Sequence, residues 1–317
     1  MASMNNTELL SPTSVFFDRI LSCAQEREPL SMAVCWPCSL EALAGALEAE
    51  RRRLIRPLLI GPRCMLRQLA AQLSVDEEDL TIIEADTPES AAALACELCH
   101  RGDAEALMKG SLHTDAFMHA VLDDEFGMVT GRRISHVFVI DTPQYGRPLF
   151  VSDAAIHIAP DLHQKMEITQ NAIEVAHALG VQRPRVAILS AVECVDPLIR
   201  STVDAAALSK MAERGQITGA LVDGPLSFDT AVSAHSAAVK GLVSSVAGDA
   251  DILIVPDLDA GNLLAKELEY FGKAVTAAVA VGGRVPIVLT SRADDVTTRY
   301  LSCAVASILF AVSNCQA

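Results

Sequence analysis

Two short segments carry residues suited to chemistry on an anionic substrate. In the first, Val285-Pro-Ile-Val-Leu289 is followed at once by Thr290, Ser291, Arg292, Ala293, Asp294 and Asp295. The apolar stretch is too short and too β-branched for a helix and reads as a buried strand. Asp294, Asp295 and Thr297 can cap a helix running to about Phe310. Ligands of open α/β sheets sit just beyond the carboxyl ends of strands, which puts Ser291 and Arg292 where an anion would be held. In the second segment, a strand over Ile252–Val255 is stopped by Pro256 and leads into Asp257, Asp259, Gly261 and Asn262. A Gly at 261 lets backbone approach a ligand closely, and a helix starting near Leu263 would present free N–H groups.

Around these segments the chain alternates helix-period and β-branched runs almost throughout. Helices are expected near 13–26, 39–53, 64–73, 88–101, 114–124, 161–179, 201–213, 228–243, 259–271 and 295–314. Strands are expected near 31–35, 57–60, 80–84, 136–140, 148–152, 185–190, 217–222, 251–255, 275–280 and 285–290. Such alternation argues for an α/β protein of mainly parallel sheets covered by helices. Ten strands are many for one twisted sheet, so two domains are expected. The pattern breaks near Asp141–Arg147, where Pro143, Gly146 and Pro148 fall close together.

The formal charge of −15 weighs against nucleic acid, which needs a basic face. An anionic substrate would therefore need local cations, for which Arg132, Arg133, Arg147, Arg284, Arg292 and Arg299 are candidates. Met1–Asn6 is polar and no leader is expected, nor does an apolar run of about 18 residues suggest a membrane span. Nine cysteines at uneven spacing read as reduced thiols, which suits a cytoplasmic protein. Cys35-Trp-Pro-Cys38 and Cys96-Glu-Leu-Cys99 have metal-ligand spacing, but the second pair lies in a helix and the first has no nearby base, so no metal site is expected. Neither a G-x-x-x-x-G-K-[ST] nor a G-x-G-x-x-G motif is present, against a nucleotide hydrolase or a dinucleotide dehydrogenase.

The two segments together resemble the phosphate acetyl/butyryltransferase family. So do Arg56-Pro-Leu-Leu-Ile-Gly61, Ala106-Leu-Met-Lys-Gly110, Gly131-Arg-Arg-Ile-Ser-His-Val-Phe-Val-Ile140, Leu149-Phe-Val-Ser-Asp-Ala-Ala155 and Val222-Asp-Gly-Pro-Leu-Ser-Phe-Asp229. The resemblance runs from about residue 15 to residue 310. It is nearest to the branch fused in some bacteria behind an enoyl-CoA hydratase domain. It implies two three-layer α/β/α domains with an interdomain cleft, as in isocitrate and isopropylmalate dehydrogenases. The first would comprise residues 1–141 and 286–317, with 142–285 inserted. The implied reaction is acyl-CoA plus phosphate giving acyl phosphate plus CoA, with no metal or redox cofactor, by a homodimer. A catalytically weak CoA or acyl-phosphate binding protein of the same fold is the alternative.

By the same resemblance Arg292 binds the phosphoryl group and Ser291 donates to the oxyanion. Asn262 could orient the acyl or pantetheine amide, with Gly261 beside it, and Lys109 could neutralise a CoA phosphate. Arg133 and His136 are further substrate-binding candidates. The chain departs from the acetyl-specific pattern at Thr298, where relatives carry an Asp read as the thiol's base, and at Ala120, where they carry an Arg. Both departures resemble the butyryl and longer-acyl branch. Asp294 is the nearest substitute base, with His136 and His113 as alternatives.

Overall fold

The computed structural model describes residues 14–316. The polar start Met1–Asn6 and the first expected helical residue, Thr13, lie outside them. In chain order the elements are α1 (Val15–Gln25), β1 (Leu30–Cys35), α2 (Leu40–Arg51), β2 (Ile55–Gly61), α3 (Arg63–Gln72), β3 (Ile82–Glu84), α4 (Pro88–Arg101), β4 (Ala106–Lys109), α5 (Thr114–Val121), β5 (Ser135–Asp141) and β6 (Pro148–Ser152). They continue with α6 (Leu162–Ala178), β7 (Arg185–Leu189), α7 (Arg200–Glu213), β8 (Leu221–Leu226), α8 (Phe228–Val232), α9 (Ala234–Val239), β9 (Ile252–Ile254), α10 (Leu258–Tyr270), β10 (Val275–Val281), β11 (Ile287–Val288) and α11 (Val296–Gln316).

The helix starts follow their capping chemistry. Ser39 accepts from Ala42 N, Thr87 forms a capping box with Ser90 ahead of Pro88, and Asp161 forms one with Gln164. The expected helix over 228–243 is instead two short ones, because Ser233 takes an extended conformation and caps α9. The strand expected at 217–222 lies further on, at Leu221–Leu226.

The strands form one sheet in the order β3-β2-β1-β4-β11-β10-β5-β6-β9-β7-β8. Its two flanks are parallel blocks, β3-β2-β1-β4-β11 and β6-β9-β7-β8. Antiparallel pairs of β10 with β11, β10 with β5, and β5 with β6 join the blocks and reverse their direction. The central antiparallel strands join the two blocks edge to edge in one sheet. Pro143 and Gly146 belong to the turn of the β5–β6 hairpin, with Asp141 facing Pro148.

Alternation of side chains sends every second strand residue to each face. On one face Met32, Val34, Met108, Val137 and Val139 join helices α1, α2, α6, α7 and α11 in a single core. On the other face the core is split. Cys35, Leu107 and Ile287 pack under α4 and α5, while Phe138, Val151 and Leu253 pack under α8 and α10. The gap between these helix layers lies over the central strands and forms a cleft. Residues 296–314 have a mean hydropathy of 1.4, long and apolar enough to cross a membrane by composition, contrary to the sequence expectation. In the fold that helix packs on α2 and β10 and is two-thirds buried.

Candidate active site

The cleft encloses about 700 Å3. Its floor is His136 and Phe138 of β5, both on the cleft face by strand alternation. One wall is the end of β4 with the start of α5, and the segment Leu289–Arg292 that follows β11. The facing wall is Ala154 and Ala155 after β6 together with α10, whose Asp259, Asn262, Leu263 and Lys266 share one face at helical spacing.

Ser291 and Arg292 both line the cleft, as expected. Their loop is held from behind by Arg299, one turn into α11 and fully buried. Its guanidinium donates to the carbonyls of Ser291 (2.9 Å), Asp294 (3.3 Å) and Arg292 (3.4 Å), and to the Thr290 hydroxyl (3.1 Å). Space for its stem comes from Gly45 of α2, where a Cβ would stand 2.5 Å from Arg299 Cδ. Arg299 is thus a brace for the loop and not the substrate cation considered from sequence.

Asp294 is 2% exposed and both carboxylate oxygens are engaged. Oδ2 accepts from Ser291 N at 2.7 Å and Oδ1 from Lys266 Nζ at 3.1 Å. This corrects its reading as a base: a carboxylate occupied by a backbone amide and an ammonium shapes the loop. Asp295 does what was expected, accepting from Thr298 N at 2.8 Å to cap α11. The Ser291 hydroxyl accepts from Ala293 N at a long 3.4 Å, a weak contact that a substrate oxygen could displace.

Arg292 is exposed into the cleft, its Nη1 3.4 Å from His113 Nε2. Lys109 is 1% exposed at the end of β4, donating to the carbonyls of Gly110 and Leu112 at 3.3 Å each. Among the described residues it has no carboxylate ion-pair partner. Burial, with the nearby Arg299 and Arg292 guanidiniums, pulls its ammonium down to about 8. Lys109 and Arg292 therefore form a cationic corner, with His113 beside Arg292; the cleft's carboxylates are Asp115 and Asp259. A buried ammonium with no ion-paired carboxylate, lying near the Arg292 guanidinium, is arranged to receive an anion.

The second predicted segment is corrected in part. α10 begins at Leu258, capped by Asp257, which accepts from Ala260 N at 2.9 Å. Gly261 therefore sits inside the helix and its N–H is bonded to Asp257 O. A Cβ there would meet Asp153 O at 2.8 Å, so this glycine serves helix-to-loop packing and not ligand approach. Asn262 does line the cleft, its amide donating weakly to Ala154 O at 3.4 Å. Arg133 is not brought into the cleft wall; it pairs with Glu167 at 3.0 Å. Arg132 and Arg147 are likewise paired, with Glu174 and Asp249. Sequence reasoning missed Lys266 altogether, although its spacing of four from Asn262 marks the same helix face.

The matching family model spans residues 83–307 and is described as phosphate acetyl/butaryl transferase. The chain belongs to this family. It is 51% identical over 292 residues to a phosphate acetyltransferase of Rhizobium meliloti, covering 92% of each chain. To a phosphate butyryltransferase of Clostridium beijerinckii it is 39% identical over 295 residues, 93% of this chain and 98% of that one. A crystal structure of a branched-chain phosphotransacylase from Enterococcus faecalis V583 superposes with a TM-score of 0.76 at 30% identity, covering 89% of this chain and 99% of that one.

Within the family pattern, both departures noted from sequence lie off the cleft wall. Thr298 is buried, its hydroxyl 3.3 Å from that of Thr276 on β10. Ala120 lines a separate cavity of about 620 Å3 between α4 and α5, with Cys96, His119 and Phe126. Of the C-x-x-C cysteines, Cys35, Cys96 and Cys99 are buried as small apolar groups, and burial pushes the Cys96 and Cys99 thiols up to about 12. Among the described residues no three metal-ligating side chains gather.

Proposed function

We propose that this protein is a phosphate acyltransferase, interconverting acyl-CoA plus phosphate with acyl phosphate plus CoA for acetyl or short-chain acyl groups. The observation that carries the reading is the cationic corner of Lys109 and Arg292 beside Ser291, in a cleft whose opposite wall presents Asn262. Phosphate would lie between the Arg292 fork and the Lys109 ammonium. The Ser291 hydroxyl would exchange its weak contact with Ala293 N for the oxyanion of the tetrahedral intermediate. The Asn262 amide would orient the acyl or pantetheine amide. CoA and phosphate enter as substrates, and the chemistry calls for no metal or redox cofactor.

Purified protein should release free thiol from acetyl-, propionyl- or butyryl-CoA only when phosphate is added. Thiol release without phosphate would indicate a thioesterase instead. A second reading, a catalytically weak binding protein of the same fold, draws on the engagement of both Asp294 oxygens, which leaves the usual kind of base unfilled. CoA binding by calorimetry without turnover of any short acyl-CoA would select it.

The same reading divides the chain into a lobe of residues 1–141 with 286–317 and an inserted lobe of 142–285. The split of the cleft-side core into two clusters supports this. The phosphate acyltransferase reading also implies a homodimer. Tyr270 and Phe271 at the end of and just after α10, which are 64% and 85% exposed, offer apolar surface for a second copy. Sedimentation equilibrium tests that point. A cytoplasmic setting fits acyl-CoA as substrate.

A further inference from the structure

His136 is wholly buried in the cleft floor, and its two ring nitrogens are in different states. Nε2 lies 3.2 Å from the carbonyl oxygen of Leu289, an acceptor that requires the proton on Nε2. The ring is then the tautomer whose Nδ1 carries a lone pair. That Nδ1 is the one buried side-chain polar atom among the described residues without a hydrogen-bond partner. A buried acceptor left open in a folded core calls for an explanation. Here the residue that carries it lines the cleft that holds Ser291 and Arg292, the carboxylate expected as base is engaged, and Thr298 is buried elsewhere.

We infer that His136 is the proton-exchanging catalytic residue of the transacylation, with Nδ1 accepting the S–H proton of CoA. This rests on the phosphate acyltransferase reading above. In the direction acyl phosphate plus CoA, the sulfur attacks the acyl carbon and the C–S bond forms as its proton passes to Nδ1. Collapse of the tetrahedral intermediate breaks the C–O bond to phosphorus-bound oxygen. The departing phosphate takes that electron pair and then the proton, which returns His136 to the neutral tautomer. In the opposite direction Nδ1 takes the proton of hydrogen phosphate as its oxygen attacks the thioester, and the Nδ1–H so formed protonates the thiolate when the C–S bond breaks. Leu289 belongs to the same segment as Ser291, so one backbone stretch fixes both the tautomer and the hydroxyl.

The charged groups that act on the ring are Asp153 after β6, Asp294 after β11, and Lys266 of α10. Burial outweighs the two carboxylates and holds the imidazole below its ordinary range, so Nδ1 stays an open acceptor at neutral pH. The Leu289 contact and the open nitrogen do not depend on that shift.

The test is His136→Gln, whose amide can keep a donor near the Leu289 carbonyl while removing the Nδ1 lone pair. With acetyl phosphate and CoA at pH 7, kcat/KM should fall about 100-fold or more. Without a base the variant must use thiolate formed in solution. For a thiol titrating near ~8.5, the deficit against wild type should shrink roughly twenty-fold between pH 7 and pH 9. A deficit that is the same at both pH values makes the residue structural and overturns the inference, as does activity within twofold of wild type. If His136→Gln fails to fold, 15N NMR of the wild-type imidazole decides. Its Nδ1 should resonate as an unprotonated nitrogen and shift on adding CoA but not on adding the disulfide of CoA; a protonated Nδ1, or no shift, overturns the inference. If wild type itself shows no phosphate-dependent turnover, the parent reading fails instead, and the two failures stay separate.

Discussion

Lys266 Nζ lies 3.1 Å from Asp294 Oδ1, joining the two walls of the cleft by one ion pair. The carboxylate is 2% exposed and the ammonium 29%, so the pair is only partly screened. Asp294 also fixes the amide of Ser291, and the same contact therefore sets the position of the hydroxyl next to the substrate. Asp294→Asn should lower stability and activity together, since hydrogen bonds to a charged group are worth about 1.5–3 kcal/mol each. Thermal melts and kcat/KM measured on the same preparation check this. Loss of activity with an unchanged melting temperature would return Asp294 to the role of base.

Among the described residues His113 is the one side chain at hydrogen-bond distance from the Arg292 guanidinium, which therefore has capacity for an anion. Arg292→Ala should weaken use of phosphate or acyl phosphate by at least about 10- to 100-fold, the worth of a charge-assisted hydrogen bond. CoA affinity, read by calorimetry, should change far less. Arg292→Lys should not restore full activity, because a point charge does not reproduce a bidentate fork. Full activity of the alanine variant would remove Arg292 from the site.

Lys109 gives the site a pH dependence whose sign follows from its environment. Its ammonium is pulled down to about 8 by burial and by the Arg299 and Arg292 charges. A bound phosphate dianion favours the charged form, so binding raises that pKa and takes up a proton wherever free Lys109 is neutral. The Lys109 contribution to phosphate affinity should accordingly be level below about pH 7, fall to about half at pH 8 and decline further above it. Lys109→Met should bind phosphate more weakly at pH 7 and lose that decline. Calorimetric titration with phosphate across this range checks both points, and a decline that persists in the variant would assign it to another group.

The wall that Lys109 occupies was the least legible part of the sequence. β4 was not expected as a strand, because Ala106-Leu-Met-Lys109 is short and ends on a charge that local pattern assigns to solvent. Only pairing with β1 and β11 on either side makes it a strand, and only the third dimension shows its lysine to be buried. The longer elements were legible because their own chemistry marks their ends, as Thr87-Pro88 does for α4 and Asp161 for α6. The loop after β11 was placed correctly, yet Asp294 and Arg299 were misread. Whether a carboxylate is a base or a clamp depends on what reaches it, and Lys266 and the Ser291 amide come from other turns of the fold. His136 was visible as a residue but not as a state, since its open nitrogen follows from the Leu289 carbonyl opposite.

Acyl preference should favour chains longer than acetyl. The cleft has an apolar side formed by Phe138, Ala154, Leu258, Leu263 and Leu289, next to the polar groups that would hold the reacting centre. Each methylene buried there contributes about 0.8 kcal/mol, so butyryl could exceed acetyl in binding by up to ~15-fold. The advantage reaches kcat/KM only if the same surface is in contact in the transition state. A kcat/KM series over acetyl-, propionyl- and butyryl-CoA should therefore rise or stay level. Leu263→Asp, on the exposed rim of α10, should flatten a rising series by giving the longer chains a charged neighbour. A steep fall after acetyl in wild type would mean that the apolar side is closed to the acyl group, and the chain would then work as an acetyl-specific enzyme despite Thr298 and Ala120.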